Sequence, residues 1–151
     1  MGRKIAKTSA TPGKTRALNV FQVEQTFFLD LPGYGYSRAP KSDRTAFRRL
    51  VRHALDRTRL AGVVWLLDIR HEPSEDDLTM QDLLAEHETR ALAALTKADK
   101  LPRGQQLQRE QELRSALGLP EDQVIVTSAK TGAGIADLRD AIAGLVGDAH
   151  A

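Results

Sequence analysis

An α/β fold is predicted for this chain by three features: apolar runs without polar alternation, amphipathic helical stripes between those runs, and a hairpin pattern ahead of them. With 151 residues, 41% hydrophobic and 28% charged, the chain is long enough for one cored domain and too short for two ordinary ones. Residues 1–151 are therefore read as one domain.

Residues 18–24 alternate apolar and polar side chains, residues 26–29 are nearly all apolar, and Glu24 and Gln25 lie near the turn between them. This pattern predicts a hairpin whose first strand lies nearer an edge. From Phe47, the positions Phe47, Leu50, Val51, Ala54 and Leu55 follow the i, i+3, i+4, i+7, i+8 spacing of an amphipathic helix, and Arg44, Arg48 and Arg52 occupy its other face. Residues 62–67 are apolar throughout, as in a parallel strand covered by helices on both faces. Similar runs recur at 91–95 and 124–126. Helical patterns separate and follow them: one around 78–88, one over 105–117 closed by Gly118, and one through Ile135, Leu138, Ile142, Leu145 and Val146.

Composition narrows the possible chemistry. Cysteine is absent, so no disulfide or thiolate metal site is available, which fits a reducing cytoplasm. The longest apolar stretch, residues 62–67, falls far short of the ~20 residues of a membrane helix. The basic N-terminus carries no apolar signal core, so neither membrane insertion nor export is expected. Residues 1–59 hold 13 Lys/Arg against 4 Asp/Glu, and the remainder holds 9 against 16, which together give the net +2. The basic half suits an anionic partner such as RNA or nucleotide phosphate, with a solvated basic face as the alternative. His53, His71, His87 and His150 are scattered without metal-ligand spacing.

In open α/β sheets, ligands sit beyond the carboxyl ends of the strands. Three runs end in segments of interest. Asp30, Leu31, Pro32 and Gly33 follow the second hairpin strand. A carboxylate there suits magnesium through water, and a glycine three residues on lets a backbone N–H approach a terminal phosphate. Thr96, Lys97, Ala98 and Asp99 follow the 91–95 run. An ionised Asp99 accepts only, so its two oxygens fit the paired N–H donors of guanine, whereas adenine presents an acceptor at that edge. The aliphatic stem of Lys97 would lie over the flat base. Thr127, Ser128, Ala129 and Lys130 follow Val126, where a tight loop would offer a backbone N–H to the guanine oxygen.

These segments, in this order, resemble a translation-factor-class P-loop GTPase, and more closely the EngB (YsxC/YihA) family. The resemblance rests on T-P-G-K-T at 11–15, D-L-P-G-Y-G-Y at 30–36, D-I-R-H at 68–71 and T-K-A-D-K-L at 96–101, and it covers the chain nearly end to end. It implies a P-loop NTPase G domain: a mostly parallel sheet with helices on both faces and an antiparallel hairpin at the start. By position, Gly13, Lys14, Thr15, Arg16 and Ala17 match a nucleotide-contacting switch segment, with Thr15 as a magnesium ligand beside Asp30. Asp30, Leu31, Pro32 and Gly33 match the second switch. Thr96, Lys97, Ala98 and Asp99 match the base-recognition motif, and Val126, Thr127, Ser128 and Ala129 the last base-contacting loop. The implied ligands are GTP or GDP with Mg2+. The implied partner is the large ribosomal subunit and its RNA, with no DNA partner, and the implied role is subunit assembly with a link to septation and cell division.

The family's opening strand and its G-x-x-x-x-G-K-[ST] loop have no counterpart in these 151 residues. Gly13-Lys14-Thr15 ends like such a loop, but position 8 is Thr8 rather than glycine, and Pro12 removes a backbone donor. The expectation is weak autonomous GTP binding and marginal folding, with a mis-assigned start or partial gene as the simplest explanation. Catalysis by the complete protein would be hydrolysis of the γ-phosphate by an in-line water. Tyr34 stands where many relatives place a water-orienting glutamine, so slow intrinsic turnover is expected. Arg44, Arg48, Arg49 and Arg52, with Lys4, Lys7, Lys14 and Arg16, are candidates for ribosomal RNA phosphates. Two rival readings are a nucleotide-free RNA- or ribosome-binding module derived from a G domain and a small-GTPase relative in transport or signalling. The guanine-specific groups argue against the first and the 30–36 run against the second.

Overall fold

A computed structural model describes residues 19–31, 41–57 and 59–150. The chain forms two compact units, 1–54 and 55–151.

In the first unit, β1 (Asn19–Val23) pairs antiparallel with β2 (Thr26–Asp30), with Val23 opposite Thr26 and Asn19 opposite Asp30. The hairpin turn is thus Glu24-Gln25, and Glu24 takes the positive φ of 55° that so short a reversal demands. Val20 and Phe27 are more than half exposed, and the register puts them on one face of the hairpin together with the exposed Gln22. Helix α1 (Lys41–Leu55) begins six residues before the stripe at Phe47 and buries Val51 and Ala54. Arg44, Arg48, Arg49 and Arg52 are exposed along it.

In the second unit, β3 (Val63–Asp68), β4 (Ala91–Thr96) and β5 (Val124–Val126) form a parallel sheet in the order β3-β4-β5. Asp68 stands beside Thr96, and Leu95 beside Val126, so the carboxyl ends of all three strands share one edge. Leu92, Ala93, Ala94 and Leu95 are all buried; since successive strand residues face opposite ways, both faces of β4 are covered. On β3, Trp65 and Leu67 are buried but Leu66 is 64% exposed. The expectation of a strand covered on both faces fails there, because the face that carries Leu66 lacks cover at that position.

Three helices complete this unit. Helix α2 (Glu75–Glu86) starts three residues before the predicted stretch, at a capping box in which the Ser74 hydroxyl accepts from the Asp77 N–H at 3.1 Å and Asp77 accepts from the Ser74 N–H at 2.8 Å. Helix α3 (Arg103–Leu117) ends at Gly118, whose φ of 62° supplies the left-handed cap that the sequence signalled. Helix α4 (Ile135–Ala149) packs its Leu145 near Gly62. A cleft of about 320 Å3, bordered by Trp65, Gln81, Leu84 and Arg90, lies at the amino ends of the strands, away from the loops described next. Among the described residues, no helix is long and apolar enough to cross a membrane.

Candidate functional site

The loops after β4 and β5 are held together by backbone and side-chain bonds. Thr127 donates its N–H at 2.7 Å and its hydroxyl at 3.2 Å to the carbonyl of Leu95, the last buried residue of β4. In return, the Ala98 N–H reaches the Thr127 carbonyl at 3.1 Å. That return bond depends on Lys97, which adopts φ 61° and ψ 33°, a left-handed conformation that costs a non-glycine residue about 1–2 kcal/mol. The chain then tightens into a short 3-10 turn over Ala98–Lys100, with Ala98 buried.

Side chains complete the link. Ser128 is 1% exposed, and its hydroxyl donates to Asp99 Oδ1 at 2.8 Å while accepting the Thr131 N–H at 3.2 Å. The Ser128 hydrogen bond holds the Asp99 carboxyl below its ordinary range, aided by the Lys100 and Lys130 charges. Asp99 is therefore an anion of fixed orientation. The Ser128 N–H donates to the Ala133 carbonyl at 2.9 Å, which folds residues 128–133 into a tight loop. Gly134 lies so close to the Val126 carbonyl that an added Cβ would stand 2.0 Å from its oxygen.

Helix α3 braces the edge from one side. Gln106 donates to the carbonyls of Ala98 at 2.8 Å and Leu101 at 3.2 Å. One turn on, Arg109 donates from Nε to the Ile69 carbonyl at 3.1 Å and from Nη1 to Glu72 at 2.9 Å. Beside Lys97, at the end of β3, Asp68 accepts a two-pronged contact from Arg70, at 3.0 Å to Nε and 2.8 Å to Nη2. Hydrogen bonding to Arg70 drives the Asp68 carboxyl far below its ordinary range, against the opposing effect of partial burial.

Thr96, Lys97, Ala98 and Asp99 thus adjoin Val126, Thr127, Ser128 and Ala129 along one sheet edge. Thr96 anchors the first loop by donating its hydroxyl to the Leu67 carbonyl at 3.3 Å, whereas Ala129 is exposed. Asp30 closes β2 and is exposed, and Leu31 follows it. Gly13, Lys14, Thr15, Arg16, Ala17, Pro32, Gly33 and Tyr34 lie outside the described residues, as do Lys4 and Lys7. Sequence reasoning assigned no role to Gln106, Arg109 or Gly134. The three-residue spacing of Gln106 and Arg109 on one helical face and the T-G-A-G turn after Ala129-Lys130 were the available signals.

A parallel α/β sheet with these loops places the chain in a class that a family model described as "50S ribosome-binding GTPase" makes specific, matching residues 1–97. The domain is of the P-loop GTPase class. The chain is 42% identical over 146 residues to the probable GTP-binding protein EngB of Syntrophomonas wolfei, covering 95% of this chain and 75% of that protein. It is 45% identical over 142 residues to the corresponding protein of Gemmatimonas aurantiaca, covering 93% and 70%. The crystal structure of a probable GTP-binding protein EngB superposes with a TM-score of 0.75 over 89% of this chain and 85% of that one, at 19% identity, which speaks for the fold alone. The FeoB G domain of Methanococcus jannaschii gives a TM-score of 0.54 at 25% identity, over 85% and 78%. The chain belongs to the EngB family of GTP-binding proteins.

Proposed function

We propose that this chain reads guanine through Asp99 and the loop at Ser128, as the recognition module of a GTPase acting on the large ribosomal subunit in the cytoplasm. The observation that carries this reading is the 2.8 Å bond from Ser128 to Asp99, which fixes an acceptor-only carboxylate at the carboxyl edge of the sheet. An anion in that position accepts the two N–H donors of guanine and repels the acceptor edge of adenine. Thr96, Ala98, Val126, Thr127 and Ala129 shape the base pocket, and the stem of Lys97 covers the ring.

Asp30 offers an exposed hard oxygen at the end of β2, which suits Mg2+ held through water. When bound there with Thr15, the ion would offset phosphate charge during hydrolysis of the γ-phosphate. Gly13, Lys14, Arg16 and Ala17 belong to one nucleotide-contacting segment, and Leu31, Pro32 and Gly33 to the other. Arg44, Arg48, Arg49 and Arg52 form an exposed basic row on α1 suited to ribosomal RNA phosphates, consistent with the ribosome-binding description of the matching family. A role in subunit assembly, and through it in septation and cell division, fits the same partner. In this reading residues 1–151 belong to one EngB-type G domain.

Calorimetric titration with GDP, ADP and xanthosine diphosphate, on this chain and on a longer form carrying a phosphate-binding loop, tests the reading. GDP should bind in preference to ADP, and Asp99→Asn should move the preference to the xanthosine nucleotide. Equal affinity for GDP and ADP in the longer form would remove the basis for the proposal.

A further inference from the structure

We propose that Asp68, locked by Arg70, is a positioning residue for Lys97: it holds the lysine ammonium at the end of β3 so that the stem stays over the base site. The proposal rests on the guanine-reading role of the loops after β4 and β5.

The strand register supplies the geometry. Asp68 is paired with Thr96 across β3 and β4, which brings Lys97 to the first position past the end of the neighbouring strand. The Lys97 Nζ lies 3.5 Å from Asp68 Oδ2. The carboxylate is not free to turn. Its Oδ1 accepts the Arg70 N–H and Nε, both at 3.0 Å, and its Oδ2 accepts Arg70 Nη2 at 2.8 Å. The Asp68 side chain is 18% exposed, while that of Lys97 is 58% exposed. A shielded, immobile anion therefore faces a solvated, flexible cation, and the anion sets where the cation goes.

Four groups share this locus: the Asp68 anion, the Arg70 guanidinium, the Lys97 ammonium and the His71 imidazole, whose Nε2 is 3.7 Å from the same Oδ2. With the anion removed, Arg70 and Lys97 would repel each other, and the more mobile Lys97 would swing toward water. The platform itself is rigid. Arg109 on α3 holds the Ile69 carbonyl, and the Ile69 N–H donates to the Thr96 carbonyl at 3.1 Å. The left-handed backbone at Lys97 fixes where its stem departs, and Asp68 fixes where it ends.

Two measurements on Asp68→Asn, Asp68→Glu and Arg70→Gln test the assignment. The first is NMR of the Lys97 side chain in the nucleotide-free chain. Asp68→Asn should shift the Lys97 Nζ and Cε resonances toward those of a free lysine, and Asp68→Glu should restore them in part. The second is GDP affinity in the longer form carrying a phosphate-binding loop. Asp68→Asn should weaken GDP by about five-fold, the size expected for an exposed ion pair, while leaving the preference of GDP over xanthosine diphosphate unchanged. Arg70→Gln, which keeps Asp68 but unlocks it, should fall between wild type and Asp68→Asn in both. Unaltered Lys97 resonances, or GDP affinity within two-fold of wild type in Asp68→Asn, overturns the proposal. Loss of base preference in the wild-type protein would instead defeat the guanine reading, and the NMR result would still decide the tether.

Discussion

The Ser128 hydroxyl donates to Asp99 Oδ1 at 2.8 Å across 29 residues of sequence, joining the loop after β5 to the loop after β4. One hydroxyl thus orients an acceptor that neither loop alone could fix.

Removing that hydroxyl should separate orientation from charge. Ser128→Ala leaves Asp99 ionised but unpinned, and GDP affinity should fall about five-fold, the scale of one hydrogen bond, with guanine still preferred over adenine. The Asp99 carboxyl should rise toward its ordinary range, because the Ser128 bond is the largest influence holding it down. Titration followed by carboxyl NMR, alongside calorimetry, reads both changes.

Gly134 and Gly132 provide a matched pair. Both have positive φ, at 73° and 82°, but an added Cβ meets the Val126 carbonyl at 2.0 Å in the first case and open space in the second. Gly134→Ala should destabilise by about 2–4 kcal/mol and disturb the Ser128 loop; Gly132→Ala should cost about 1 kcal/mol. Urea unfolding of the two variants measures the difference, and equal losses would contradict the close approach.

The capping box of α2 gives a test outside the loops after β4 and β5. Ser74→Ala leaves the Asp77 N–H without its acceptor and should destabilise by about 1 kcal/mol with GDP affinity unchanged. Denaturant melts and a nucleotide titration on the same preparation check both halves.

Acid should weaken the fold in a defined window. Asp68, Asp99 and Glu112 all have depressed carboxyl values in the folded state, chiefly through bonds from Arg70, Ser128 and Arg109. The unfolded chain therefore binds protons first, and their stabilisation is complete above about pH 5 and lost as pH falls through the folded values. Unfolding midpoints should be insensitive to these groups near neutrality and decline below about pH 5. In Asp68→Asn the acid slope should be shallower.

Much of the second unit was legible because its signals are local. The apolar run 91–95 became β4, Val124–Val126 became β5 without adjustment, and Gly118 closes α3 at the position the sequence predicts. Helix starts were less legible. The stripe of α1 begins at Phe47, but the helix begins at Lys41, among polar residues that periodicity does not register. Leu66 misled because an apolar run says that a strand is sheet-like without saying how many neighbours cover it. Thr96 to Asp99 and Val126 to Ala129 are site candidates on strand-end position and side-chain chemistry, and the fold sets these two loops side by side. The bond between Ser128 and Asp99 and the reach of Arg109 to Ile69 were not legible, since each needs the tertiary fold to bring distant positions together.

The backbone at Lys97 restricts what can replace it. A left-handed residue between a buried strand and the buried Ala98 disfavours valine, isoleucine and threonine on steric grounds, whatever their chemistry, and favours asparagine, aspartate or glycine. Substitutions that ease the local conformation forfeit the long aliphatic arm, so the position pits chain geometry against side-chain reach. A lysine there bears a conformational handicap that glycine would escape, and its side chain reaches Asp68.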